Sequence, residues 1–423
     1  MTHAHEPAHA DIAVVGAGLA GLAAARLLRR AGRTVVVVDG AEPGGRGRTD
    51  VRDGYHFNRG PRAVYRGGHA ERVLTTLAVP LLGGPPSSDA AGLVGDRIGP
   101  LPAGATTLAR TRLLSAKGKL GVARLLARFG SVDADALGAV TFRDWIDQHD
   151  LAPDAVQLVE MLGRLSTYAN APDEASADLV VGQMQMAIAH GVQYLHGGWG
   201  SLVTALAADQ VVHRAAAASV VRDGTDVVVT CVDGSRVVAT AVVVAVGAPD
   251  AAASLVGSAP FDAGPAVEAA CLDLGTVVPA RPALLIGIDA PLYLSNHCPP
   301  ARLAPDGRHV VHVARYLSAG DRLDPTAQRA ELERHAARVG LAGDRIETAR
   351  YLHRMTVTGG LAIARTGGLR GRPGVGAAAI PGVFLAGDWV GARGHLLDAA
   401  LASAEEAAMA ADRAVSAATL VPR

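Results

Sequence analysis

Asp11–Gly40 reads DIAVVGAGLAGLAAARLLRRAGRTVVVVDG, and this stretch decides how the front of the chain folds. Ile12–Val15 is a short apolar run of the kind that forms a buried strand, and Leu19–Arg30 carries the apolar spacing of a helix packed on a sheet. Between them Gly16, Gly18 and Gly21 fit G-x-G-x-x-G. Gly16 allows the tight turn, Gly18 lets the backbone reach a pyrophosphate, and Gly21 permits close helix–strand contact. The helix start at Leu19 and Ala20 offers free N–H groups and the positive end of a dipole to phosphates. A second strand, Thr34–Val38, ends in Asp39-Gly40, where a carboxylate accepts hydrogen bonds from a ribose diol. Strand, turn, helix, strand and acid in this order point to a bound dinucleotide.

Three further segments say which one. Gly44-Gly45-Arg46-Gly47-Arg48-Thr49 follows, then Gly54-Tyr55-His56-Phe57-Asn58-Arg59-Gly60-Pro61-Arg62-Ala63; near the other end stands Gly382–Ala408, GVFLAGDWVGARGHLLDAALASAEEAA. These resemble the GGR-x-x-T, G-x-x-x-D-x-G-P and C-terminal flavin motifs of the FAD-dependent amine oxidase and phytoene desaturase superfamily, and the resemblance spans nearly the whole chain. It implies an α/β fold: a Rossmann-like, three-layer FAD domain of the glutathione-reductase type with an inserted α+β substrate domain. Non-covalent FAD is the implied cofactor. Arg46, after Gly45, would meet the pyrophosphate, and Gly60, Pro61, Arg62 and Ala63 would lie along the isoalloxazine. Departures are Asp39 for the usual Glu, Asn58 for the usual Asp, and one residue fewer between Asp39 and Gly44.

The back signature has its own physical reading. Val383–Ala386 is an apolar strand running into Gly387-Asp388, whose carboxylate can hold a ribityl hydroxyl or the flavin-side phosphate through water. Gly394 then opens an alanine-rich helix, Leu396–Met409. The N–H groups of Leu396 and Leu397 would face the flavin pyrimidine and stabilise the charge that builds there on reduction.

The chain of 423 residues is long enough for more than one core. The superfamily pattern assigns 11–85, 200–260 and 355–415 to the FAD domain, and 86–199 and 261–354 to the substrate domain. Ala217 is the nearest equivalent of the family's adenine contact. Gly191–Ala205, GVQYLHGGWGSLVTA, resembles the return from one domain to the other. Arg143–Met161, Asp178–His190 and Thr326–Val339 carry helical spacing. Residues 1–10 read as a loose tail and 420–423 as the remnant of a protease-cleaved linker.

Equal numbers of basic and acidic residues, 40 each, give no electrostatic case for nucleic acid. No run of about 18 apolar residues occurs, so no spanning helix is expected. Cys231, Cys271 and Cys298 are odd in number and far apart, which argues against a disulfide framework or metal site and for a cytoplasmic protein. Between Arg97 and Val132 there is no acid, while Arg110, Arg112, Lys117, Lys119, Arg124 and Arg128 accumulate. A basic amphipathic helix over 110–129 suits peripheral contact with an anionic membrane; a solvated helix face is the alternative.

Flavin oxidation is mostly the cofactor's own chemistry, so no obligatory nucleophile is expected. Tyr293, Ser295, Asn296 and His297 would lie on a strand reaching the substrate cavity, as in the bacterial phytoene desaturase-related branch. His353, Arg354 and Met355 precede the C-terminal motif, and Trp389, Arg393 and His395 lie inside it. Of these, Trp389, His395, Tyr293 and His353 are the candidate active-site residues. Amine oxidases of the family commonly hold a lysine near flavin N5 in the later half of the chain, whereas Lys117 and Lys119 are the only lysines here. The expectation is therefore hydride abstraction from a C–H bond of a small apolar or natural-product substrate, with a quinone or O2 as acceptor. The alternatives are an amine or amino-acid oxidase releasing imine and peroxide, and a non-redox FAD-dependent isomerase.

Overall fold

The computed structural model describes residues 7–102 and 104–419. Its first sheet runs in the order Val212–His213, Val35–Val38, Ala8–Val15, Arg236–Val244, Asp226–Cys231, Ala217–Asp223. The first four strands are parallel, and the last two form an antiparallel extension turned at Gly224 and Gly234. The parallel strands are valine-rich and buried on both faces, as a covered parallel sheet requires.

Arg236–Val244 is shared along one flank. Its front half pairs with Asp226–Cys231, and its back half, from Val242, pairs with Val383–Leu385. The C-terminal motif is thereby set beside the glycine turn. Helices Leu19–Arg30 and Leu396–Thr419 lie against each other on this sheet, with Ala23, Ala24, Ala404 and Ala407 wholly buried in their common core. The last helix runs ten residues beyond the expected Met409, because Ala411 and Val415 continue its buried face.

The second sheet has the order Ile346–Thr358, Val267–Thr276, His309–Tyr316, Leu292–Asn296, Leu284–Gly287, Ala90–Val94, Arg97–Pro100. It is antiparallel except where Leu284–Gly287 runs alongside Ala90–Val94. Helices Ala116–Phe129 and Pro153–Thr167 cover one face, through Val122, Leu158 and Met161 against Ile286, Tyr293 and Tyr316. Helix Pro325–Ala337 covers the other, through Leu332 and Ala336 against Leu272 and Val313.

Two expectations change. Residues 8–10 belong to the first strand, with Ala8 opposite Val237 and His9 opposite Val238, because the long neighbouring strand extends the ladder. Residues 1–6 of the expected tail and 420–423 of the expected linker remnant lie outside the described residues. The helix expected over Arg143–Met161 is two, Phe142–Asp147 and Pro153–Thr167. Asp150 takes a positive φ of 43°, and Pro153, which lacks an N–H, suits the first turn of a new helix.

Candidate active site

The glycine turn sits where the first strand ends. Gly16 has φ of +106°, and a Cβ there would stand 2.6 Å from the Ala245 carbonyl oxygen. Gly21 rests directly on the Gly16 carbonyl, while a side chain on Gly18 would meet nothing. The helix makes its first backbone bond from Leu22 N to Gly18 O, 2.9 Å, so the amides of Ala20 and Gly21 have no backbone partner among the described residues at its positive end.

Asp39 closes the far side of this turn. Its Oδ2 accepts from Ala17 N at 2.6 Å and its Oδ1 from Ala41 N at 2.8 Å. A carboxylate has about four lone-pair sites, which leaves two for a diol. Gly40 packs against Ala216, whose amide nitrogen would be 2.9 Å from a Cβ at position 40.

A cleft of about 420 Å³ runs from here to the C-terminal motif. Gly16, Gly18, Leu19, Ala20, Asp39, Gly45 and Arg46 line it at one end; Gly387, Asp388, Leu396 and Leu397 line it at the other. Arg46 grips Asp388 with both terminal nitrogens, at 2.8 and 2.9 Å. The amides of Leu396 and Leu397 have no partner inside the protein among the described residues, and Leu396 itself has φ of +53°. A leucine in the left-handed region is strained, and such strain gathers at functional sites.

A second cavity, about 970 Å³, opens beside the first. Its wall is mainly apolar and aromatic, including Tyr65, Leu162, Leu165, Tyr168, Met184 and Tyr194. Arg62, Trp199 and Leu396 border both spaces. Arg62 is 8% exposed, has no hydrogen-bond partner among the described residues, and lies over the Trp199 ring at 5.2 Å. Burial pushes its guanidinium down to about 10, which leaves it charged at neutral pH. Glu71 is the one acid on the cavity wall among the described residues, and Arg66, at 2.6 Å, neutralises it.

The sequence matches the family described as flavin-containing amine oxidoreductase over residues 19–411. The chain belongs to that family. It is similar in structure to an oxidoreductase from Methanosarcina mazei, with TM-score 0.72 and 16% identity over 93% of this chain and 99% of that one. It is also similar to wild-type putrescine oxidase bound to putrescine, with TM-score 0.72 and 18% identity over 96% and 99% of the two chains. A search of curated protein sequences gave no match.

The protein is thus a flavin-containing oxidoreductase of that family. Its cleft suits the dinucleotide chemically. The amides at the start of helix Leu19–Arg30 would face the phosphates, Asp39 could accept from a ribose, and the amides of Leu396 and Leu397 would face the end that turns negative when a flavin is reduced.

Other expected cofactor residues lie elsewhere. Gly21, Gly40 and Gly394 do not line the cleft; Gly394 packs on Asp398, whose Cβ would be 2.7 Å from a side chain there. Ala217 is absent from the cleft wall, and Ala216 is the residue that meets Gly40. Pro61 and Ala63 face the larger cavity, and Gly60 is capped by Met355.

The candidate catalytic residues separate more sharply. Tyr293 lines the larger cavity, as does His297. Ser295 is spent on the Tyr194 hydroxyl, 2.8 Å away, and Asn296 on the Cys298 amide. Trp389 lies on neither wall: it is wholly buried, stacks on Phe261 and donates from Nε1 to Val246 O at 3.3 Å. Arg393 is exposed and pairs with Glu406. His395 also lies behind the wall, donating from Nε2 to Thr167 O at 2.9 Å; burial pushes it down to about 4, so it is neutral. His353 faces away from the cavity toward helix Pro325–Ala337, with Nδ1 2.9 Å from Gln328 Oε1. Side chains alternate along a strand, and Tyr351 shares that outer face by bonding the same Gln328.

Sequence reading missed Trp199, Tyr194 and Tyr168. The first two stand in the quoted GVQYLHGGWG segment, and an aromatic pair beside a Gly-Gly turn was the available signal.

Proposed function

We propose that this oxidoreductase removes hydride from a C–H bond of a small apolar or natural-product substrate held in the 970 Å³ cavity. The observation that carries this reading is the unpaired Arg62 guanidinium at the junction of cavity and cofactor cleft. A protonated amine brought there would meet a like charge in a poorly screened site, with Glu71 already neutralised. FAD, when bound, accepts the hydride; the protein's part is to hold the substrate across Arg62, Trp199 and Leu396 and to keep water out. Non-covalent binding of the flavin belongs to this reading and is supported by a cleft wall that holds no Cys, His or Tyr among the described residues. No lysine lines either space, which favours an organic acceptor such as a quinone over O2.

The test is anaerobic mixing of the yellow protein with a substrate panel, followed by air. Bleaching by apolar alcohols or alkenes, with slow recovery in air, is expected. Bleaching by primary or secondary amines with rapid recovery and stoichiometric peroxide would install the amine oxidase reading. No bleaching by any donor, with double-bond migration in the products, would install the isomerase.

Membrane contact through 110–129 stays within this reading in a narrower form. Val122, Leu125 and Phe129 are buried against the protein while Leu120 and Leu126 stay exposed among the basic residues, so the helix can offer a membrane its charge and a small apolar patch.

A further inference from the structure

Most polar side chains facing the larger cavity are committed elsewhere. The Tyr65 hydroxyl donates to Ser166 O, Tyr168 to Pro61 O, and Tyr194 shares a hydrogen bond with Ser295. Gln193 is held between Arg66 and the Leu81 carbonyl. Arg62 and the Trp199 indole nitrogen remain open, and both belong to the junction with the cofactor cleft.

Away from that junction Tyr293, the exposed His190 and His297 have no side-chain hydrogen bond among the described residues, and His297 is the most deeply buried of the three. It lines the cavity and is 1% exposed, and neither ring nitrogen has a hydrogen-bond partner among the described residues. Its ring is clamped rather than loose. Tyr194 stacks on one face with centroids 3.7 Å apart, and His312 meets it edge-on at 4.5 Å. His312 is fixed in turn by Asp273 Oδ1 at 2.5 Å, and Asp273 by Arg350. A chain of buried, partnered groups therefore orients an imidazole that is itself left without a bond. An unsatisfied buried polar group costs stability, and such a group is retained where something else satisfies it. Burial holds His297 well below the usual histidine range, so it is neutral and can both donate and accept.

We propose that His297 is a docking point for one neutral polar group of the substrate, a hydroxyl or a carbonyl. The substrate is then an apolar body with an oxygen function at the end held by His297 and its reacting carbon toward Arg62, Trp199 and Leu396. This rests on the reading of the 970 Å³ space as the substrate cavity. It adds the substrate's chemical class and its direction in the site. A charged ammonium or carboxylate would not suit a neutral imidazole backed by His312 and an ion pair that is already complete, Asp273–Arg350.

The probes are 2-naphthol and naphthalene, which differ by one hydroxyl, titrated into the FAD-loaded protein and read by thermal shift and by the flavin difference spectrum. In the parent protein 2-naphthol is expected to bind at least about 10-fold more tightly, the range set by one hydrogen bond to a buried group. In His297→Phe the ratio should fall below about 3, with naphthalene binding retained; in His297→Gln it should partly recover. FAD content and the melting temperature of each variant establish that it is folded. An equal preference in parent and His297→Phe overturns the proposal, as does failure of the parent to distinguish the two probes. Because the readout is binding, a protein that behaves as stated yet never bleaches with any donor would lose the dehydrogenase reading and keep this one.

Discussion

Arg46 and Asp388, 342 residues apart, form a two-pronged ion pair inside the cofactor cleft. The same guanidinium also reaches Val357 O and Gly247 O at 3.4 Å. It therefore ties three late segments to the front of the chain before any ligand is considered. Arg46→Met is expected to lower the melting temperature of the apoprotein as well as its affinity for FAD, because Asp388, almost wholly buried, loses its counter-charge. An effect on FAD affinity alone, with unchanged apoprotein melting, would mean that the pair is not structural.

Asp39 should behave as a two-sided clamp. Asp39→Ala removes acceptors from the Ala17 and Ala41 amides as well as from a ribose, and is expected to weaken FAD binding by roughly 2–4 kcal/mol, two charge-assisted bonds' worth. Asp39→Asn has one acceptor oxygen for two amides and should fall between. Titration of apoprotein with FAD reads both; unchanged affinity in Asp39→Ala would pass the ribose to another acid, such as Glu42.

Trp389 tests the distinction between core and active site. Replacing a fully buried tryptophan by alanine costs about 3–5 kcal/mol, so Trp389→Ala should melt early or fail to accumulate. Trp389→Phe should keep the stacking on Phe261, lose the bond to Val246 O, and bleach at a rate per FAD within about threefold of the parent. A large loss of bleaching rate in a well-folded Trp389→Phe would return the residue to the reaction.

Asp398 predicts a pH dependence. Burial pushes its carboxyl from 3.8 up to about 6, so the folded state takes up this proton before the unfolded state does. Stability from this group is therefore highest below about pH 4 and declines as pH rises through 6. Asp398→Asn, which keeps an oxygen for the Ala70 amide, should flatten the melting temperature across that window and raise it by a few degrees above it. A variant curve parallel to the parent's would remove Asp398 as the cause.

The basic segment makes a salt-dependent claim. With only Leu120 and Leu126 of its large apolar side chains exposed, helix Ala116–Phe129 should pellet only with anionic vesicles and release at high salt, where charges are screened within a few ångströms. Binding to neutral vesicles, or none to anionic ones, would leave a solvated helix face.

The cofactor half of the molecule was legible because its signals are local. Gly16, Gly18 and Asp39 sit at fixed offsets within one strand–turn–helix–strand unit, and each lines the cleft. The substrate half was legible only as far as Tyr293 and His297. Trp389 and His395 were misplaced because a motif gives position along the chain but not the direction of a side chain. Trp389 turns toward Phe261, and His395 toward a carbonyl of a helix 228 residues earlier. Arg62 was visible as a motif member, yet its lack of a hydrogen-bonded partner is a tertiary fact: Asp388, the acid near it in the cleft, is taken by Arg46.

The strand Arg236–Val244, flanked by the first strand on one edge and by Val383–Leu385 on the other, has a bearing on biosynthesis. A ribosome delivers Gly16 and Arg46 long before Asp388, Leu396 and Leu397 exist. The half-built sheet must wait with one flank bare until the final segment emerges and slides in beside Val242. Flavin capture then has to follow synthesis of residues 383–397, and a protein truncated before residue 383 should neither retain the cofactor nor bury that flank.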